Sequence, residues 1–93
     1  MPYVAECEIA MHQEVAKGHF RMVLHAPEIA REARAGQFCM VQVQEGYYPF
    51  LRRPMCFERI FNDSVSILYK VEGEGTRLLS KLQQGQPVGI QGP

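Results

Sequence analysis

The sequence predicts an all-β domain, namely a six-stranded antiparallel barrel with one short helix. Apolar and polar residues alternate over most of the chain, turn residues separate the alternating stretches, and the period becomes helical only after Gly75. Six or so short strands with one late helix favour a closed barrel, and a β-sandwich is the structural alternative. The 93 residues fit one domain spanning 1–93.

Two strands are predicted before residue 26. In the first, residues 3–12, the odd positions are mostly apolar, and His12 belongs to the opposite, polar side. A turn at Lys17-Gly18 leads to the second strand, residues 20–25. The histidines have no metal-ligand spacing, and we interpret them as surface or strand-edge residues: His12, His19 and His25.

The middle of the chain contains a break and two further extended segments. Residues 27–37 hold either a helical turn or a plain loop, and residues 38–44 form the third strand. Residues 52–57 can extend again, although Pro54 restricts them to an edge or a special position. Asn62-Asp63 is a turn signal.

The last third combines the clearest strand with the helix. In residues 65–71, apolar side chains at the odd positions alternate with Ser66, Leu68 and Lys70, and Thr76 is a good N-cap residue for the helix that follows. Gly85 can end that helix in a left-handed conformation. Residues 87–91 give a final short strand.

Composition excludes several classes of function. Ten basic and ten acidic residues cancel, which gives no support for binding to nucleic acid or membrane surfaces. No apolar run approaches the roughly 18–20 residues that span a bilayer, and the N-terminus does not resemble a signal peptide. The three cysteines are far apart, which argues against disulfides and against a zinc or iron–sulfur site in this chain. Reduced thiols in a cytoplasmic protein are the expectation.

Two segments carry candidate chemistry. The first is a strand that runs through Gly73-Glu74-Gly75-Thr76 into a helix, which could cradle a phosphate on free backbone N–H groups; a plain turn is the alternative. The second is Arg53, whose direction is restricted by Pro54 and whose guanidinium can bind phosphate in a bidentate manner; a solvated strand edge is the alternative. Together the two segments could hold a diphosphate from opposite sides.

The chain resembles the ferredoxin-reductase superfamily in several ordered motifs. These are Gly-Gln-Phe at residues 36–38, Arg-Arg-Pro-Met-Cys-Phe at 52–57, Ile-Leu-Tyr-Lys-Val-Glu-Gly-Glu-Gly-Thr at 67–76, and Gly-Gln-Pro-Val-Gly-Ile-Gln-Gly-Pro at 85–93. Within the superfamily, the chain is most similar to electron-transfer subunits of dihydroorotate dehydrogenase. The resemblance implies a six-stranded Greek-key barrel that binds FAD.

The resemblance also implies which residues bind the cofactor. Arg53 would pair with the diphosphate, and Gly75 with Thr76 would hold the phosphates from the helix side. Residues 54–56 would run along the flavin, with Cys56 near its reactive edge. Residues 68–70 would line the ribityl chain and the flavin. The implied set is Arg53, Pro54, Met55, Cys56, Leu68, Tyr69, Lys70, Gly75 and Thr76. Members commonly have serine or threonine where this chain has Cys56, a weaker hydrogen-bond donor; a small buried side chain is the alternative for Cys56.

The expected function is that of a FAD-binding domain that passes electrons from NAD(P)H to an iron–sulfur centre or a partner flavoprotein such as dihydroorotate dehydrogenase, in pyrimidine biosynthesis. Related chains continue into an NAD(P)-binding domain and a [2Fe–2S] cluster, which residues 1–93 do not contain, so we do not expect this part alone to be a competent catalyst. The alternative function is a cofactor-free docking barrel for a partner subunit. A third is a complete reductase whose partner domain is another chain.

Overall fold

The computed structural model describes residues 3–45 and 48–92, and side chains over residues 6–41 and 54–92. Along the described residues the elements are β1 (Tyr3–Ala16), β2 (His19–His25), α1 (Pro27–Glu32), β3 (Phe38–Glu45), β4 (Tyr48–Ile60), β5 (Ser64–Lys70), α2 (Glu74–Ser80) and β6 (Pro87–Gly92). The helical alternative for residues 27–37 is therefore realised in α1, with Pro27 in its first turn, where a missing N–H costs nothing.

The strands form one closed antiparallel barrel in the order β1-β2-β5-β4-β3-β6, with β6 pairing back onto β1. Successive strands β2 and β3 are not neighbours, and neither are β5 and β6, which is the connectivity of a Greek key. The predicted barrel is confirmed, and the sandwich alternative is wrong because the strands form a single sheet that closes on itself.

The strand pairs differ in length. In the described residues, β6, β1, β2 and β5 pair in that order over six or seven residues each and form a four-stranded sheet. Strand β3 pairs with β4 along most of its length and forms a hairpin with it. The hairpin joins this sheet through two short pairings, at residues 40–42 against β6 and residues 57–60 against β5. We call the second junction the β4–β5 seam.

Inward-facing residues of the strands fill the barrel, and α1 and α2 contribute Ile29, Ala30 and Leu79 to the same core. The fully buried large side chains include Ile9, Met22, Leu24, Ile29, Val41, Phe57, Val65, Ile67, Leu79 and Ile90. Burial of each such side chain contributes about 1.5–3 kcal/mol. None of the helices in the described residues is long and apolar enough to cross a membrane.

A β-bulge in β1 changes which residues face the core. Ile9 pairs with Leu24, but Met11 pairs with Val23, so Ala10 is an extra residue on β1. One extra residue reverses the alternation of the strand beyond it. Met11 is therefore 47% exposed, although the sequence pattern places it with buried Ile9. The opposite change applies to His12, which pairs with fully buried Met22 and faces inward.

Helix α2 begins earlier than its sequence predicts. Gly73 is the N-cap residue, and Thr76 occupies the third position of the helix, so the prediction that Thr76 is the N-cap is wrong. The hydroxyl of Thr76 reaches back and accepts the backbone N–H of Gly73, as the third residue of a capping box does. Gly85 has the predicted left-handed conformation, with φ of 92°, but it lies beyond the helix end, where Lys81 is the C-cap.

Candidate functional site

The candidate site lies where the β4–β5 seam opens. Pairing between these strands begins at Phe57 opposite Ile67 and does not continue to residues 54–56 and 68–70, all of which are described. On their other sides, residues 54–56 remain paired with β3 and residues 68–70 with β2. Two strand edges therefore face each other with backbone N–H and C=O groups that have no partner strand.

A cleft of about 250 Å³ lies at this opening, beside the start of α2. It is lined by Pro54, Met55, Cys56, Leu68, Tyr69, Lys70, Glu72 and Thr76. Seven of the nine residues expected from the sequence are thus brought together around one cavity. Gly75 immediately precedes Thr76 in α2. That these residues bind a cofactor stays a prediction.

The strand alternation decides how each residue meets the cleft. Cys56, Leu68 and Lys70 have exposed side chains on the outer face of the barrel. Met55 and Tyr69 are buried, so their side chains belong to the core. They can therefore offer the cleft mainly backbone, whereas their neighbours offer side chains as well.

Pro54 is exposed in β4, opposite Met40 of β3, and its other edge faces the open cleft. A proline cannot donate a ladder hydrogen bond and is tolerated where no strand lies on that side. Pro54 therefore lies at an open strand edge, as the sequence predicts, because β4 does not pair with β5 at this position.

The thiol of Cys56 is exposed, so the alternative of a small buried side chain is wrong. Cys7 and Cys39 are buried instead. Burial raises the pKa of the Cys7 thiol and raises the pKa of Cys39 to about 12. Of the three thiols, that of Cys56 is therefore the one that solvent and a molecule in the cleft can reach.

Thr76 is 3% exposed, and its hydroxyl is engaged within the protein. The oxygen accepts the N–H of Glu72 at 2.8 Å and that of Gly73 at 3.1 Å, and the hydroxyl donates to the carbonyl of Gly73 at 3.2 Å. Its only proton is therefore already used. The hydroxyl thus shapes the turn into α2, and any phosphate contact here would come from backbone N–H groups.

Arg53 lies in β4 with its backbone opposite Val41. The side chains of Arg52 and Arg53 lie outside the described part of the structure. The expected contact between Arg53 and a diphosphate therefore stays a prediction.

Charged side chains of both signs border the cleft. Lys70 supplies a cation and Glu72, which sequence reasoning did not single out, supplies an anion. Within the described residues, no three His, Cys, Asp or Glu side chains come together as a metal site. A second groove of about 340 Å³ adjoins the cleft along residues 68–70 and is completed by Val15, Ala16 and His19.

His12 is a residue near the site that sequence reasoning assigned wrongly. Its ring nitrogens lie 2.8 Å from the carbonyl oxygen of Leu82 and 2.6 Å from the hydroxyl oxygen of Tyr69. The alternation of residues 3–11 continues without interruption through the bulge at Ala10, so nothing in the local pattern indicates that His12 faces inward. Glu72, by contrast, lies inside the motif already identified.

Curated relatives match nearly the whole chain. It is 34% identical over 87 residues to the electron transfer subunit of dihydroorotate dehydrogenase B (NAD(+)) from Bacillus mycoides, which covers 91% of this chain and 34% of the relative. The same subunit from Bacillus velezensis is 32% identical over 91 residues, or 96% of this chain and 36% of the relative. The chain thus spans about a third of the length of these relatives. No family model matches the chain.

Solved structures share the fold. An NADH-dependent reduced ferredoxin-NADP oxidoreductase, described for flavin-based electron bifurcation, superposes with a TM-score of 0.77 at 27% identity, covering 90% of this chain and 30% of that one. A ferredoxin NADP+ reductase from Neisseria gonorrhoeae with bound FAD and NADP gives a TM-score of 0.77 at 21% identity, covering 94% and 36%. The resemblance to the ferredoxin-reductase superfamily and to these electron transfer subunits is confirmed.

Proposed function

We propose that the chain is the FAD-binding barrel of an electron-transfer protein that passes electrons from NAD(P)H, through FAD, to an iron–sulfur centre or to a partner flavoprotein such as dihydroorotate dehydrogenase. The observation that carries the proposal is the cleft at the β4–β5 seam, which is lined by seven of the nine residues expected to bind FAD. The relatives are electron transfer subunits by name, which supports the same role.

The chemistry of the cleft fits a flavin. A flavin ring has an apolar end and a pyrimidine edge with alternating hydrogen-bond donors and acceptors. The cleft offers apolar surface from Pro54 and Leu68 and two open strand edges with alternating N–H and C=O groups. Its volume of about 250 Å³ suits only part of a dinucleotide, and the adjoining groove of about 340 Å³ extends the concave surface.

Each group has an assigned contribution. The backbone of residues 54–56 and 68–70 orients the ring, Cys56 presents its thiol to it, and Lys70 supplies positive charge. Arg53 and the backbone at Gly75 and Thr76 hold the diphosphate from opposite sides. When bound, FAD supplies the hydride and electron transfer, and the protein supplies binding, orientation and electrostatics.

Further parts of the electron path belong to the proposal too. An NAD(P)-binding domain, a [2Fe–2S] cluster and a dehydrogenase subunit acting in pyrimidine biosynthesis are the proposed neighbours, in the same chain or in another. Reduced, unpaired cysteines suit the cytoplasm, where we place the protein.

Titration with FAD tests the proposal. We expect quenching of flavin fluorescence with a shifted flavin spectrum, and a higher melting temperature, since FAD at 100 times its Kd adds about 2.7 kcal/mol of stability. The Arg53→Ala variant should bind FAD more weakly than Arg52→Ala, its matched control. If saturating FAD changes neither the spectrum nor the melting temperature, the proposal fails.

A second candidate function is a cofactor-free docking barrel. Phe38, which is 64% exposed, lies opposite Cys56 on the neighbouring strand, and Leu68 beside the cleft is 44% exposed. Exposed apolar side chains of this kind are what a partner subunit could cover. Binding of a partner without any binding of FAD would favour this function over the first.

A further inference from the structure

His12 connects the two elements that border the cleft. One ring nitrogen, Nδ1, lies 2.8 Å from the carbonyl oxygen of Leu82, in the turn that directly follows α2. The other, Nε2, lies 2.6 Å from the hydroxyl oxygen of Tyr69, near the end of β5. His12 itself does not line the cleft. Its contacts therefore reach the cleft indirectly, through β5, which forms one wall of the cleft, and through α2, whose first turn lies beside it.

The two contacts determine which nitrogen carries the proton when the imidazole ring is neutral. A carbonyl oxygen can only accept, so Nδ1 must carry the proton and donate to Leu82. In the neutral ring Nε2 is then an acceptor, and the hydroxyl of Tyr69 donates to it. Tyr69 is 7% exposed, so a hydroxyl without this acceptor would leave a buried donor unsatisfied.

Aromatic packing holds the same group together. Phe20 stacks on Tyr69 with ring centroids 5.6 Å apart, and its ring lies 5.3 Å from that of His12. Phe20 and Tyr69 are direct neighbours across β2 and β5. The bulge at Ala10 is what turns His12 toward these rings, so the arrangement depends on one extra residue in β1.

We propose that His12 is a positioning residue of the cofactor cleft, which holds the end of β5 and the C-terminal end of α2 at a fixed separation. The inference rests on the proposed function, because it assigns His12 a role in FAD binding through Tyr69 and α2. By holding the C-terminal end of α2 against the end of β5, His12 fixes how the first turn of α2 lies beside residues 68–70, and it does so without contacting the cofactor.

Three substitutions of His12 and one of Tyr69 separate the two hydrogen bonds. His12→Asn keeps a donor near the position of Nδ1, His12→Gln keeps a polar group near that of Nε2, and His12→Phe keeps the aromatic packing but loses both bonds. Tyr69→Phe removes only the hydroxyl. The matched control is His25→Gln, because His25 lies at the far end of β2, away from the cleft.

The test measures FAD affinity by flavin fluorescence and amide hydrogen exchange over residues 74–82 for each variant. We expect His12→Phe to weaken FAD binding about tenfold and to speed exchange in α2, with Asn or Gln restoring part of both. Tyr69→Phe should weaken binding about threefold to tenfold, and His25→Gln should match wild type. Unchanged affinity and exchange in His12→Phe would overturn the inference.

Nitrogen-15 NMR of the unmodified protein gives a readout that needs neither FAD nor a variant. We expect the His12 ring with its proton on Nδ1, and the tautomer protonated on Nε2 would overturn the inference. If wild type does not bind FAD, the proposed function fails. The tautomer and the exchange rates of α2 then still decide whether His12 holds α2 against β5.

Discussion

The hydroxyl of Thr76 should stabilise the fold rather than bind a phosphate directly. Thr76→Val keeps the shape of the side chain and removes an oxygen that accepts two backbone N–H groups and donates once. The Gly73 carbonyl keeps a second donor, the N–H of Arg77 at 2.9 Å, so the main loss falls on the N–H groups of Glu72 and Gly73.

The size of the effect follows from these two N–H groups. A net value of about 1 kcal/mol for each lost hydrogen bond gives about 2 kcal/mol of lost stability, since both residues are exposed enough for water to reach the turn. For a domain of this size, that lowers the melting temperature by about 10 °C. Thr76→Ser, the matched control, keeps the hydroxyl and loses one methyl, which costs about 1 kcal/mol.

Circular dichroism thermal melts measure the stability, and FAD titration at 15 °C measures the affinity of the folded variants. We expect Thr76→Val to lose more stability than Thr76→Ser while losing less FAD affinity than Arg53→Ala. A Thr76→Val protein as stable as wild type would refute the structural role of the hydroxyl. Affinity reduced as strongly as by Arg53→Ala, with Thr76→Ser unaffected, would instead identify the hydroxyl as a phosphate ligand.

Two further predictions concern accessible sulfur and charge. An alkylating reagent at pH 8 should modify exposed Cys56 first and leave buried Cys39, whose pKa is raised to about 12, unmodified until the protein unfolds. Saturating FAD should slow the modification of Cys56. Mass spectrometry measures both reactions, and an unchanged rate at Cys56 would contradict its place in the cofactor cleft. Hydrogen bonding to Arg21 lowers the pKa of the Glu58 carboxyl in the folded protein. The carboxylate therefore stabilises the fold at pH values above its unfolded pKa of about 4.3. This contribution is lost as the pH falls through the lower pKa of the folded state. Glu58→Gln should therefore lose melting temperature at pH 7 and differ less from wild type at pH 3, whereas an equal loss at both values would contradict the assignment.

The sequence predicted the barrel well because apolar and polar residues alternate over most of the chain. Residues 64–70 form a strand very near the predicted bounds, and Gly18 has the left-handed backbone that its turn requires, with φ of 75°. The cleft residues came from the resemblance, and seven of them lie together. Periodicity alone could not have found them, since a seam that opens has the same alternation as one that stays paired.

The errors have specific physical causes. The bulge at Ala10 leaves no trace in a sequence that continues to alternate, so His12 was assigned to the wrong face. Thr76 was predicted as an N-cap because its hydroxyl suits that role, but Gly73 starts the helix and the same hydroxyl bonds backward from the third position. In both cases the residue type was informative. One extra residue in β1 changed the face of His12, and a helix start three residues earlier changed the role of Thr76.

The β4–β5 seam has a consequence for motion. Because the β3–β4 hairpin is attached to the rest of the described barrel by two short pairings, it is the unit expected to detach first in a partial opening. A molecule held between residues 54–56 and 68–70 would bridge the hairpin and the four-stranded sheet. A molecule bound in the cleft would then hold the hairpin to the rest of the barrel, and protease sensitivity of the hairpin would report how much of the protein has the cleft occupied.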